Sequence, residues 1–326
     1  MSRLAKALDE LNTKAYALES IKQLSGGINS AVYQTKSSHG VNYILKLYPR
    51  PTRNDPRDRC LTEKNFLSYL QSCHIKNTSS ILESNVSTGW SLMSWIEGEK
   101  PTSLEEDDIQ DIANFIIRIN KKTTKTKRLK LQPASEACES LTSLISNINQ
   151  RLKRIESAEI KSDISREAIC WVSENIRPML VDLTQSLKPK ANKCRYWKDM
   201  REDAIASPSD IGIHNMMRTN EGLFFIDFEY AGRDDLSKLT ADLILHPEYC
   251  LSDMQEKAFL EQIKLYMSDE LDNSWFYRLK DIKPLISIKW CLIMLNQIIN
   301  NTLAKEQLEK TMEYFYQKTC VLKLKT

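Results

Sequence analysis

Glycine is scarce in this sequence, with 8 in 326 residues, so the adjacent pair Gly26-Gly27 stands out. Histidine is scarcer, at 4, and none of the 8 cysteines forms a CxxC. With no Cys/His cluster at zinc spacing, a structural zinc site and a redox dithiol are excluded as readings. The scattered thiols are expected to be buried and reduced, in a cytosolic protein. Long hydrophobic runs are missing too. The longest apolar patch, Ile286 to Ile299, is broken by Lys289, Asn296 and Gln297. It is too short and too polar to span a bilayer and reads as a buried helix. The opening MSRLAKALDELNTKAY is charged and amphipathic, without the apolar core of a signal peptide. A net charge of +3 is close to balance and calls for neither nucleic acid nor membrane as a partner.

What is present is an ordinary globular composition, 41% hydrophobic and 27% charged, over a length that suits two lobes. Residues 1–20 read as a helix, from Leu4, Ala7, Leu8, Leu11, Ala15 and Leu18 at helical spacing. Strands follow: IKQL, AVYQTK and VNYILKLY, with Ser25 to Ser30 and SSHG as turns. Backbone amides at Gly26 and Gly27 can approach phosphate oxygens unobstructed, with Asn29 and Ser30 able to help. A plain hairpin turn explains the same glycines.

Lys46 sits inside VNYILKLY, where a lysine is costly unless paired. Either it snorkels from an edge strand or it grips phosphates. A helix starting near Asp58 or Thr62, with Leu61, Phe66, Leu67 and Leu70 as its stripe, carries Glu63 as a candidate partner for Lys46.

The stretch Ser207 to Asp242 holds the other candidates. Its turn, Arg218 to Gly222, predicts a hairpin. That hairpin would bring Asp210, Asn215 and Asp227 together, and such oxygen donors suit Mg²⁺.

Glycine turn, strand lysine and helix glutamate together resemble the small lobe of the protein-kinase-like superfamily. More closely, the chain resembles the aminoglycoside phosphotransferase and choline kinase group. The resemblance implies a bilobal α+β fold: a small antiparallel-sheet lobe over residues 1–97 and a larger, mainly helical lobe over 98–326. It implies ATP (or GTP) and Mg²⁺ as cofactors. SLMSWIEG is similar to the hinge of those kinases, where backbone from Ser94 to Ile96 would meet the base, with Met93 behind it. Lys46 would contact phosphates, Asn215 and Asp227 would hold Mg²⁺, and Asp210 would accept or orient the acceptor hydroxyl proton. The family's catalytic loop has His-Gly before the aspartate, where this chain has Pro208-Ser209. The family's second histidine position is Gly212, and His214 stands beside Asn215 instead. This Ser-Asp-x-Gly-x-His-Asn variant, with its Asp-Phe-Glu strand end, looks like that of a bacterial subgroup of phosphotransferases. His214 is expected to shape the loop through a backbone carbonyl.

The remaining segments read as follows. A helix over 104–120 buries Ile109, Ile112, Ala113, Ile116 and Ile117, and the basic run 121–130 reads as a solvated linker. Residues 135–200 read as helices, with Pro178 as a kink or break and Trp171 and Trp197 in the core. Glu229, Asp234 and Asp235 are either ligands or solvated loop carboxylates, and Asp242 is a brace. After Pro247 the chain is helical, with Trp275 to Tyr277 and Trp290 read as core rather than as an ammonium cage. Three functions remain. The first is a cytoplasmic kinase for a hydroxyl of a sugar, amino sugar or amino alcohol. The second is a non-catalytic nucleotide-binding or regulatory protein. The third is a helical interaction or nucleic-acid protein, which leaves Lys46, Asp210 and Asp227 without a role.

Overall fold

The computed structural model describes residues 2–14, 16–24, 30–53, 55–197, 200, 203–248, 251–267, 271, 273–300 and 302–323. By its contacts the chain divides into two compact units, Met1–Ser135 with Pro208–Arg233, and Glu136–Ser207 with Asp234–Thr326.

The first unit is built on a five-stranded antiparallel sheet in the order β1-β2-β3-β5-β4. Its strands are β1 (Leu18–Gln23), β2 (Ala31–Ser37), β3 (Asn42–Leu47), β4 (Ile81–Asn85) and β5 (Trp90–Ser94). The first helix, α1 (Arg3–Thr13), is shorter than the 1–20 span its periodicity predicts. Leu18 leaves the helical stripe and pairs with Ser37 in the sheet. Ala17 takes a left-handed φ of 43°, and the Asn12 side chain accepts from the Leu18 amide at 3.2 Å, so the chain reverses there. The shortened helix still buries Ala7 and Leu11 in one cluster with Leu45, Leu47, Trp90 and Leu92.

β3 lies between β2 and β5, with Lys46 facing Val32 on one side and Ser91 on the other. Lys46 is therefore in a central strand, and the edge-strand reading falls. Helix α2 (Arg59–Ser72) starts where the sequence predicts, with the Asp58 carboxylate accepting from the Leu61 amide at 3.0 Å. Its buried face is not the apolar stripe alone. Phe66, Leu67 and Leu70 are inside as expected, but Leu61 is 42% exposed, and Arg59 and Glu63 are buried in its stead.

Helix α3 (Glu106–Ile119) opens on a capping box between Glu105 and Asp108. Ile109, Ile112, Ala113 and Ile116 are buried, with Phe115 and Ile119 completing the face. The linker reading of 121–130 fails at Arg128. It lies in a helical turn, α4 (Lys125–Arg128), is fully buried, and donates to the Asn120 carbonyl at 2.9 Å. The predicted hairpin is present: strands Met216–Thr219 and Gly222–Phe225 pair antiparallel, with Gly222 at a φ of 100° that glycine adopts at little cost.

The second unit is helical: α5 (Leu141–Glu156), α6 (Asp163–Trp171), α7 (Arg177–Lys193), α8 (Leu236–Ile244), α9 (Asp253–Met267), α10 (Ser274–Met294) and α11 (Lys305–Lys323). A π-turn over Val172–Ile176 joins α6 to α7, so Pro178 starts a helix instead of breaking one. Trp171, Trp197 and Trp275 are buried, whereas Tyr277 is exposed and Trp290 half-buried. Cys60, Cys138 and Cys291 are buried free thiols, but Cys170 is exposed.

The loop carboxylates here are not solvated. Asp234 and Asp242 both accept from the buried Lys238 at 3.0 Å, Lys289 also bonds Asp242, and Asp235 pairs with Arg278 at 2.7 Å. Asp242 is thus the brace its sequence position predicts. Among the described residues, no helix is long and apolar enough to cross a membrane.

Candidate active site

The site lies within the first unit and is organised by Lys46. Its side chain is 4% exposed, and its Nζ is 2.6 Å from Glu63 Oε2, 2.7 Å from Asp227 Oδ1 and 3.3 Å from Glu229 Oε2. The ammonium also stands 4.9 Å over the Tyr48 ring. Burial alone would push this lysine down, but the carboxylates of Glu63, Asp227 and Glu229 hold it well above its ordinary value. Burial pushes the Glu63 carboxyl up, against the pull of Lys46. Glu63 stays the acceptor: its second oxygen takes the Phe228 amide at 3.1 Å, so both oxygens receive donors and the ionised form is favoured.

Asp227, two residues past the end of the second hairpin strand, takes a left-handed conformation, φ 64°, with its side chain 39% exposed. A non-glycine residue there stores strain of about 1–3 kcal/mol and needs its neighbours fixed. They are fixed. The Ile226 amide donates to the Asn215 carbonyl at 3.0 Å, and the Phe228 amide to Glu63.

The loop before the hairpin is wound just as tightly. Ser209 has a φ of 67°, and the Asp210 amide donates back to the Pro208 carbonyl at 2.9 Å. That is a γ-turn of the strained hand, centred on a residue whose conformation suits glycine. Asn215 is buried, and its amide nitrogen donates to the Asp210 carbonyl at 3.3 Å. The His214 Nε2 lies 3.3 Å from Asp210 Oδ2, so the imidazole reaches the acidic side chain itself.

These groups line one cavity of about 520 Å³. Its lining includes the apolar or aromatic Val32, Ile44, Met93, Trp95 and Ile96 and the polar Ser30, Lys46, Asp210, Asn215, Asp227 and Glu229. Of the residues singled out in the sequence, Ser30, Lys46, Glu63, Ile96, Asp210, Asn215 and Asp227 come together here. Ser94 does not line the cavity; its amide donates to the Ser80 carbonyl at 2.9 Å. Gly26, Gly27 and Asn29 lie outside the described residues.

The hinge-like segment after β5 is held to the hairpin by two backbone bonds, Glu99 N to Arg218 O at 3.0 Å and Arg218 N to Glu99 O at 2.7 Å. Gly98 permits that approach, because a Cβ there would sit 2.6 Å from the Arg218 carbonyl oxygen.

Glu229 and Arg59 are the residues sequence reasoning underrated. Glu229 is buried, accepting from Ser30 Oγ at 2.6 Å and from Arg59 Nη1 at 2.7 Å. The signal for Arg59 was its place one helical turn before Glu63.

As for a cation, Asn215 and Asp227 both line the cavity and offer hard oxygen donors, which suit Mg²⁺ beside phosphate oxygens. The carboxylates of Glu63, Asp227 and Glu229 also have oxygens within 4.8 Å of one another. The Lys46 ammonium already bonds all three, so that trio is a lysine's counter-ion set rather than a second metal site.

A family model described as "Phosphotransferase enzyme family" matches residues 20–162. No curated protein sequence matches the chain. Among solved structures, choline kinase from Cryptosporidium parvum Iowa II superposes with a TM-score of 0.68 at 13% identity, covering 98% of this chain and 96% of that one. Plasmodium vivax ethanolamine kinase gives a TM-score of 0.60 at 17% identity, covering 95% and 84%. A spectinomycin phosphotransferase, solved with ADP and spectinomycin, gives 0.61 at 13%, covering 96% and 93%. At such identities the likeness is one of fold. The fold is the protein-kinase-like one, a five-stranded antiparallel sheet followed by a mainly helical remainder, as the resemblance implies.

Proposed function

We propose, from the premise that residues 20–162 are those of a phosphotransferase enzyme, that this chain is a small-molecule kinase. It transfers the γ-phosphate of ATP (or GTP) to a hydroxyl of a sugar, amino sugar or amino alcohol. The observation that carries the reading is that Lys46, Asp210, Asn215 and Asp227 line one cavity with an apolar portion fit for a base. In this reading a lobe over 1–97 holds the nucleotide and one over 98–326 carries the catalytic loop and the acceptor. Lys46 binds the phosphates, and Asn215 and Asp227 hold Mg²⁺, which neutralises phosphate charge when bound. Asp210 orients the acceptor hydroxyl and takes up its proton. Positioning matters more than basicity here, because phosphoryl transfer runs through a loose transition state. The protein acts in the cytoplasm, without a nucleic-acid partner.

The test is phosphate transfer from ATP, and from GTP, across a panel of sugars, amino sugars and amino alcohols with Mg²⁺. Transfer to a hydroxyl on any of them supports the reading.

A second reading, a non-catalytic nucleotide-binding protein, draws on one observation. Ser209 holds a strained φ of 67° where the resembled family has glycine, and the histidine before it is replaced by Pro208. Binding of ATP with Mg²⁺, seen as a rise in melting temperature, without transfer to any acceptor would favour that reading.

A further inference from the structure

α2 holds the Asp227–Glu229 segment at two places, one helical turn apart. Glu63 takes the Phe228 amide at 3.1 Å, and Arg59 takes Glu229 Oε1 at 2.7 Å. Arg59 is buried; its Nη2 reaches Asp55 at 3.0 Å, and its guanidinium lies 5.0 Å over the Tyr230 ring. The other Glu229 oxygen, Oε2, receives Ser30 Oγ at 2.6 Å and faces Lys46 Nζ at 3.3 Å. Glu229 is therefore shared by the two cations, and it engages both Ser30 and Lys46, the donors assigned above to phosphate.

The charges set the problem. Two buried cations, Lys46 and Arg59, face the three carboxylates of Glu63, Asp227 and Glu229, and Arg59 also pairs with a fourth, Asp55. Without Arg59 one ammonium would answer all three, and Glu229 would have no competing partner of full charge. A buried, unpaired carboxylate is costly, so it would close on Lys46. Lys46 would then lose reach toward an incoming phosphate.

We propose that Arg59 is a positioning residue for nucleotide binding: it neutralises Glu229 and so leaves Lys46 and Ser30 available to phosphates. Arg59 acts through Glu229 and touches no reacting atom. This rests on the phosphotransferase reading of the same cavity.

The test measures AMP-PNP with Mg²⁺ by titration calorimetry, with melting temperature alongside, on the wild type, Arg59→Met, Arg59→Lys, Glu229→Gln and the Arg59→Met/Glu229→Gln pair. Arg59→Met weakens binding by about tenfold, within the range of coupling between buried charges in contact. Arg59→Lys recovers part of the loss, because it restores the charge without the planar fork. The decisive comparison is Glu229→Gln against the double variant. With the carboxylate gone, removing Arg59 should leave the dissociation constant unchanged. A tenfold weaker double variant would overturn the proposal, and it stays decisive even where Arg59→Met alone does not fold. Equal binding by the wild type and a folded Arg59→Met would also overturn it. A wild type that binds no AMP-PNP at all would instead remove the nucleotide-site reading beneath it.

Discussion

Lys46 and Glu63 meet at 2.6 Å across the face of the sheet, both buried, one from the sheet's central strand and one from a helix. This pair decides how the cavity is wired, because Glu63 also fixes the Phe228 amide next to Asp227. Glu63→Gln keeps the shape and removes the charge. It is expected to lower kcat/KM for nucleotide by about ten- to a hundredfold, as removal of a group supporting electrostatic stabilisation does. Steady-state kinetics on the folded variant would show this; unchanged kcat/KM would detach Glu63 from the site's function.

The pH behaviour of the lysine follows from its environment. Its folded value lies well above the ordinary 10.5. The stability it contributes is thus complete below that ordinary value and is lost only as pH rises through the higher folded one. The melting-temperature difference between the wild type and Lys46→Met should not shrink between about pH 8 and about pH 10. A difference shrinking from about pH 8 upward would contradict the ion-pair account.

Gly98 offers a purely steric test. A Cβ 2.6 Å from the Arg218 carbonyl oxygen forces apart the Glu99–Arg218 bridge. Gly98→Ala should cost about 1–3 kcal/mol of stability, the usual range for overpacking. It should also raise KM for nucleotide, since Ile96 and Trp95 just before it line the cavity. Denaturant unfolding reads the first effect. A neutral variant would mean the segment moves freely.

Trp95 lines the cavity and donates from its indole to Glu97 at 2.9 Å. Nucleotide entering the apolar part should change its fluorescence. Trp95→Phe should remove most of the signal change seen on adding ATP with Mg²⁺. The same change persisting without Trp95 would place the nucleotide elsewhere.

Much of the arrangement was legible in the sequence because local patterns and tertiary demands agreed. The strand carrying Lys46, the start of α2 near Asp58 and the Gly222 turn each held in the fold. The misses occur where charge overrides apolar period. In α2 the hydrophobic stripe predicts Leu61 inside, yet Arg59 takes a buried position, because Glu229 waits for it there, while Glu63 pairs with Lys46 as expected. Glu229 reads equally as a ligand or a solvated loop carboxylate because its partners, Ser30, Lys46 and Arg59, are 170 or more residues away in sequence. Arg128 hid inside a basic run, and only the fold shows that it caps the end of α3 through Asn120. Leu18 fitted the helical spacing of residues 1–20, but the sheet won it.

The central claim is that Asp210 serves phosphate transfer in a cavity that binds nucleotide without it. The most direct measurement is single-turnover transfer from ATP to the best acceptor by the wild type and Asp210→Ala, with nucleotide affinity and melting temperature recorded in parallel. The account predicts a loss of transfer of about a hundredfold or more, the usual scale for a positioned proton acceptor, with affinity and melting temperature retained. Transfer by a folded Asp210→Ala at the wild-type rate would contradict it.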